Sequence, residues 1–400
     1  MGAEVVTAVV VLAGGTSRRF GSDKLAAEVD GSTLLDAALA ALPPGCDLVL
    51  VGPPRPTLRP GTWVREEPAG GGPAAGLVTG LRFALDRGAE LIAVLPADAP
   101  GAGTAAVELL GRLAEEPEVD ALVGVDDEGR EQPLQLALRR PAAEQIASTP
   151  GGGNGASARA LVAALVPPAR PVRLRPERAW DIDTPDQLAA WNARHSPAVQ
   201  AVLDLVARSS RSDGGPVVVA LDGRSGSGKS ILAAALRLRT GATVLPGDDF
   251  LSVTLASSDA AARDRLTDTE VADAVFDWPR LRTEALEPLA AGVSARYHAF
   301  DWTTLGPGAR VGRVRELAPA PLVVLEGVYA ARPELADLVT ASVLVTLTAD
   351  TRAARLASRG DDAGWAALRE RGERHYFSRV VTPADVDLVL TAELDQLGGT

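Results

Sequence analysis

Apolar, β-branched runs alternate with Ala- and Leu-rich stretches along the whole chain, and glycine or proline marks most of the changes. Short apolar runs bounded by turn residues read as buried strands, and longer Ala/Leu stretches read as helices. Strands are expected over Val5–Leu12, Leu48–Gly52, Leu91–Leu95 and Ala121–Val125, with helices over Thr33–Leu42 and Ala74–Asp86 between them. Gly70–Gly72 and Gly151–Gly153 are loop signals. Thr184 and Pro185 open a further helix as N-cap and first-turn proline. The chain then passes through His195-Ser-Pro197, a helical stretch near Val199–Arg208 and the Ser/Gly-rich Ser209–Gly215. New strands are expected at Val217–Leu221, Leu322–Leu325 and Ser342–Leu347. Alternation of this kind is the pattern of α/β domains built on parallel sheets.

The length of 400 residues favours two or three domains, at about 100–200 residues each. The boundary is placed near residue 196, giving domains 1–195 and 196–400 with a linker near 195–215. Apolar residues make up 46%, enough for each half to bury a core. No uninterrupted apolar run approaches the ~18–20 residues needed to span a bilayer. Glu4 precedes the first apolar run with no basic patch, unlike a secretory signal. Cys46 is the only cysteine, and His195, His298 and His375 are far apart, so no disulfide framework or clustered zinc site is expected. A formal charge of −12 argues against a general nucleic-acid binder. The expectation is a soluble, cytoplasmic protein with no membrane or nucleic-acid partner.

Only two of the 40 basic residues are lysines, Lys24 and Lys229, and both lie in Gly-rich loops that follow a strand. Lysine is a compact point charge, so its retention in an arginine-rich chain draws attention to both loops. The first runs Leu12-Ala-Gly-Gly-Thr-Ser-Arg-Arg-Phe-Gly-Ser-Asp-Lys24. Leu12, Ala13, Gly14 and Gly15 would present backbone N–H groups to a triphosphate, with Arg19 and Lys24 neutralising its charge. An ordinary βα loop would also explain a Gly-Gly turn taken alone.

This segment resembles the Leu-Ala-Gly-Gly-x-Ser-x-Arg-x-Gly-x-Asp-Lys signature of the molybdenum cofactor guanylyltransferase (MobA-like) family, with Phe20 in place of the usual methionine. The resemblance continues through Glu66-Glu67-Pro68, Pro73-Ala-Ala-Gly76, Pro96-Ala-Asp-Ala-Pro100, Gln132-Pro-Leu134 and Asp181-Ile-Asp-Thr-Pro185. It implies a Rossmann-like nucleotidyltransferase domain that transfers GMP from GTP to a phosphorylated pterin. It also implies Asp98 as the Mg²⁺ ligand, Lys24 as a catalytic cation, Glu67 as a nucleotide contact, and partners in molybdoenzyme maturation. Asp98 also suits a turn cap before a proline, and Asp183 suits either a second ligand or a helix entry. The Leu-Ala-Gly-Gly and Pro-x-Ala-Gly turns look like guanylyl-transferring members. A cytidylyltransferase or a sugar-phosphate nucleotidyltransferase keeps the same fold and stays open.

The second loop, Gly223-Arg-Ser-Gly-Ser-Gly-Lys-Ser230, is a complete Walker A sequence between a strand and a helix. The backbone of Gly223, Arg224, Ser225, Gly226, Ser227 and Gly228 would cradle phosphates. Lys229 would reach the β- and γ-oxygens, and Ser230 would hold Mg²⁺. The chain from about 216 to 392 resembles the uridine kinase-like P-loop kinases, a P-loop NTPase domain with a parallel sheet. That resemblance implies ATP as substrate, Asp248 as the group that takes or orients the acceptor hydroxyl proton, and Glu326 as an acid near metal and substrate. Arg352, Arg355 and Arg359 share one helix face, either as a lid over the phosphates or as a solvated arginine face. Tyr297 and His298 fit substrate contact or core packing equally. A nucleotide-sensing module without turnover is the alternative for this half.

Overall fold

Val9, Val10 and Val11 have no exposed surface, so the first strand must be flanked by other strands and covered on both faces. In the computed structural model, which describes residues 6–15, 20–67, 69–209, 214–357 and 362–391, it sits near the middle of a seven-stranded sheet. The strands are β1 (Thr7–Leu12), β2 (Asp47–Val51), β3 (Thr62–Val64), β4 (Leu91–Pro96), β5 (Ala121–Val125), β6 (Glu131–Arg139) and β7 (Arg170–Arg173), in spatial order β3-β2-β1-β4-β6-β5-β7. Helix α1 covers Leu34–Leu39, α2 Pro73–Asp86 and α3 Ala102–Glu115. Leu77, Val78 and Leu81 of α2 bury against Val10, Val49 and Val51 on one face. Leu109 and Leu113 of α3 bury against Leu122, Ala137 and Val172 on the other.

The chain divides into two compact units, Met1–Leu188 and Ala189–Thr400. In the second, β8 (Val217–Asp222), β9 (Thr243–Pro246), β12 (Leu322–Glu326), β13 (Ala341–Thr346) and β14 (Leu388–Thr391) pair only in parallel, in the order β9-β12-β8-β13-β14. Between β9 and β12 lies an antiparallel hairpin, β10 (Ala295–Phe300) with β11 (Val311–Leu317). Helix α4 (Lys229–Thr240) follows the Walker loop, and α5 (Ala349–Ala357) and α6 (Ala363–Arg379) follow β13. The helix Pro197–Arg208 is capped by the Ser196 hydroxyl and packs on the β8 side of the core through Val202 and Leu205. Residues 210–213 of the expected linker lie outside the described residues.

The first sheet departs from the all-parallel expectation at β6, which runs antiparallel to both β4 and β5. The reason is local. Asp126 Oδ1 accepts from the Glu128 and Arg130 amides, and Gly129 takes φ 80°, which closes a tight turn after β5. So short a connection can only return antiparallel, because parallel neighbours need a long crossover.

Gly103 lies inside α3, where a Cβ would fall 2.4 Å from the Ala38 carbonyl oxygen at the end of α1. Helix propensity alone favours alanine there by about 1 kcal/mol. Backbone cannot yield as a flexible side chain can, so we expect overpacking to win. Gly103→Ala should lower the stability of the protein by about 1–3 kcal/mol in urea melts, and a stabilised variant would show that α1 shifts freely.

Candidate active sites

In the first unit the strands β1 and β2 end side by side. Ala13 donates its amide to Val51 O at 2.9 Å, and a Cβ on Gly52, whose φ is 144°, would lie 2.7 Å from Ala13 O. Leu12 is half-buried, Ala13 is fully buried, and Gly14 and Gly15 are exposed, so the loop rises from the core into solvent. Arg55 holds its far side, donating to Ala13 O and to Asp23, whose carboxylate caps the short turn that begins at Lys24. Thr16 to Arg19 lie outside the described residues, so the Arg19 expectation is not addressed. Glu67 is exposed on the loop after β3, and Pro68 is outside the description.

Lys24 is directed inward. Its Nζ donates to Asp98 Oδ2 at 2.6 Å and to Asp183 Oδ1 at 2.7 Å. Asp98 comes from the turn after β4, and Asp183 from a segment far along the chain. That segment is pinned by the Ile182 amide on Asp98 O, while Gln187 Oε1 accepts from the Asp183 and Thr184 amides. Burial works against the Lys24 charge, but Asp98 and Asp183 outweigh it and hold its pKa above the ordinary value. Asp181 stands beside them; burial, then the negative charges of Asp98 and Asp183, push its carboxyl up to about 7. Two carboxylates that share one cation form a pair of hard oxygen donors placed for a divalent cation. No group of three or more His, Cys, Asp or Glu side chains among the described residues is placed to hold a metal.

In the second unit β8 ends in Asp222, which is fully buried. It accepts hydrogen bonds from the Gly223, Tyr329 and Ala331 amides and from the Tyr376 hydroxyl, at 2.6–2.9 Å. Burial raises its pKa, and those donors work in the opposite direction. Gly223, Gly226 and Gly228 have φ of 149°, 81° and 98°, and a Cβ on Gly223 would lie 2.3 Å from Val345 O. Lys229 bends over the loop to donate to Arg224 O at 3.2 Å. The Ser227 hydroxyl is buried without a hydrogen-bond partner. Ser230 Oγ donates to Glu326 Oε1 at 3.1 Å, so the two side chains expected near metal are neighbours at the carboxyl edge of the sheet. Asp248 is exposed on the turn after β9 and lines a cavity of about 300 Å³ together with Ser225.

The arginine face is turned towards the loop. Arg355 donates to Gly226 O at 3.2 Å, and Arg352 pairs with Glu370 at 3.2 Å. Arg359 lies outside the described residues. Tyr297 belongs to the core: it is buried, stacks on Phe250 and donates to Asp249 Oδ2 at 2.7 Å. The His298 ring meets Gly312 O across the hairpin.

Three residues that sequence reasoning passed over shape this loop. Asp222, Tyr376 and Glu373 fix it from beneath and from α6. Glu373 is 1% exposed and accepts from the Ser225 amide at 3.2 Å and from the Ser225 hydroxyl. Burial raises its pKa, opposed by Ser225 and by the Lys229 and Arg369 charges. The only available signal was the acid at the end of β8; the other two partners come from about 150 residues further on.

Residues 9–169 match the MobA-like NTP transferase domain. A protein of Mycobacterium tuberculosis (strain H37Rv) named "Probable molybdenum cofactor guanylyltransferase" is 35% identical over 156 residues, which are 38% of this chain and 76% of the relative. The chain therefore belongs to the MobA-like NTP transferase family through its first unit. Among solved structures, molybdopterin-guanine dinucleotide biosynthesis protein A of Archaeoglobus fulgidus is similar at 21% identity and a TM-score of 0.36, over 45% of this chain and 94% of that one. A "Possible Uridine Kinase" of Bacillus stearothermophilus is similar at 18% identity and a TM-score of 0.38, over 48% of this chain and 97% of that one. No helix among the described residues is long and apolar enough to cross a membrane.

The raised pKa of Asp181 has a consequence for stability. Its folded value lies above the unfolded one, so the stability it contributes is complete below about pH 4 and is lost as pH rises through about 7. Calorimetry in metal-free buffer should find Asp181→Asn close to wild type at about pH 3.5 and more stable at about pH 8. A variant destabilised at both pH values would place Asp181 among the groups that hold the fold.

Proposed function

We propose that the first unit transfers GMP from GTP to a phosphorylated pterin, and that the second is an ATP-dependent small-molecule kinase. The observation that carries the first reading is the convergence of Asp98 and Asp183 on Lys24 at the foot of the glycine loop. In the transfer, an acceptor phosphate oxygen attacks the α-phosphorus of GTP, the bond to the α,β-bridging oxygen breaks, and pyrophosphate leaves. Ala13 and Leu12 are tied into the sheet, so the exposed Gly14 and Gly15 would present their N–H groups to the triphosphate and orient it in line. Lys24 leaves the carboxylate pair to neutralise the departing pyrophosphate. Asp98 and Asp183 would hold Mg²⁺, which when bound supplies Lewis-acid charge to the phosphate oxygens. The family membership and the Leu-Ala-Gly-Gly turn support GTP over CTP.

For the second unit the supporting observation is a formed Walker loop with the Ser230–Glu326 pair on one side and Asp248 on a cavity beside it. The acceptor hydroxyl oxygen attacks the γ-phosphorus of ATP, the bond to the β,γ-bridging oxygen breaks, and the hydroxyl proton passes to Asp248. Lys229 would reach the β- and γ-oxygens, and the buried Ser227 hydroxyl gains an acceptor. Ser230 and Glu326 would hold a second Mg²⁺. Arg352 and Arg355 close over the loop as cations.

In the intact protein, Lys24→Ala and Asp98→Asn should each lower GMP transfer by roughly 10²–10³-fold, while thermal unfolding stays close to wild type. Wild-type turnover in Asp98→Asn removes the metal assignment, and equal turnover with CTP removes the guanylyl assignment. For the second unit, Lys229→Met should weaken ATP binding. Asp248→Asn should keep ATP affinity and lose about 10²–10⁴-fold in phosphoryl transfer to an accepted alcohol. If no acceptor pool elicits ATP consumption, yet ATP alters GMP transfer, the unit is a nucleotide sensor.

A further inference from the structure

The cavity beside the Walker loop has walls that do not suit a polar acceptor. Of the residues that line it, five carry charge or a small hydroxyl: Ser225, Asp248, Asp362, Arg369 and Glu373. At least four of these five are already engaged within the protein. Glu373 accepts from Ser225, and Asp362 Oδ1 caps α6 through the Trp365 amide at 2.9 Å. Arg369 stands 3.9 Å from Glu373. The remaining wall is hydrocarbon and ring. Leu251, Val271, Val275, Phe276, Trp365 and Leu368 belong to one buried apolar cluster that continues behind it. Two more lining residues, Trp302 and Leu305, are 46% and 36% exposed, so large apolar side chains stand in solvent where the cavity meets it.

Resting on the kinase reading for its acceptor role, we propose that this cavity takes a small alcohol with an apolar body, a single ring or branched chain bearing one hydroxyl. A sugar or nucleoside would bring several polar groups against a wall with few partners to offer, and each unpaired group opposes binding. An apolar body instead removes its own surface, and that of Trp302 and Leu305, from water. The volume of about 300 Å³ is at the small end for ligand pockets, enough for one ring with a short arm. Asp248 is the lining residue able to take the hydroxyl proton when that oxygen bonds to the γ-phosphorus and ADP departs with the electron pair of the broken bond.

The test uses the intact protein and two apolar alcohols, 2-phenylethanol and cyclohexylmethanol, against uridine and fructose. Binding is read by saturation-transfer NMR titration, and ATP consumption is followed separately with Mg²⁺-ATP. The expected result is saturable binding of at least one apolar alcohol, at least tenfold tighter than uridine or fructose. The rim variant Trp302→Ala/Leu305→Ser, altered at exposed positions and checked for folding by circular dichroism, should weaken it at least fivefold. Uridine or fructose binding as tightly as the alcohols, or neither alcohol saturating up to its solubility limit, overturns the proposal. ATP consumption with uridine or fructose alone also overturns it while leaving the kinase reading standing. Rim-dependent binding of an apolar alcohol without ATP consumption supports the cavity assignment and counts against the kinase reading instead.

Discussion

Both units depend on one constraint: neighbouring parallel strands must end so close together that only glycine fits where the chain leaves the sheet. A Cβ would lie 2.7 Å from a backbone oxygen at Gly52 and 2.3 Å from one at Gly223. With no side chain in the way, the chain leaves β1 and β8 at the carboxyl edge of the sheet. That is the edge at which open α/β sheets bind their ligands. The acids and the lysines follow from this geometry, because the adjacent strand ends at the same level. Asp98 follows β4 as Glu326 ends β12, each on the strand paired with the one that carries the loop.

On the proposed reading, a chain with a formal charge of −12 would receive a triphosphate in each unit. At physiological salt the Debye length is about 8 Å, so distant carboxylates are screened and the local arrangement decides. In the first unit the local charge stays net negative, since one lysine, Lys24, is held between two aspartates. On that reading, Asp98 and Asp183 would hold the cation that accompanies the triphosphate, and Lys24 would turn to the phosphates. In the second unit the cations are layered instead, with Lys229 in the loop and Arg352 and Arg355 on α5 above it.

The core of both folds was legible because burial on two faces leaves a continuous apolar run. Ala121–Val125 and Leu322–Leu325 carry no polar side chain. Strands that are short or part-exposed lacked that signal: Thr62–Val64 and the hairpin strands Ala295–Phe300 and Val311–Leu317 are not among those expected from the apolar pattern. Pro133 hid β6 in a similar way, since proline argues against a strand. At the sites, loop glycines and lysines announced themselves by spacing. Asp183 did not, because its partnership with Asp98 is made by a backbone hydrogen bond between segments far apart in sequence. Glu373 and Tyr376 sit in a helix rich in Arg and Glu, where nothing distinguishes the one glutamate that turns inward.

Those inward groups hold the Walker loop in its shape. A chain of glycines and serines loses much conformational freedom on ordering, and a loop ordered only by its ligand would subtract that loss from affinity. Here Asp222 takes the Gly223 amide and Glu373 takes the Ser225 amide, both from buried positions where a hydrogen bond to a carboxylate is strong. Neither carboxylate is solvated, so each depends on its donors as much as the loop depends on it. The same two acids tie the loop to β8, to the segment after β12 and to α6. A movement of α6 towards or away from the nucleotide would therefore be felt at Ser225 directly. The lid arginines would feel it as well, because Arg352 is anchored on Glu370 one turn away. Ser225 of the loop, Arg352 of α5 and one wall of the cavity are thus all held from one helix, α6.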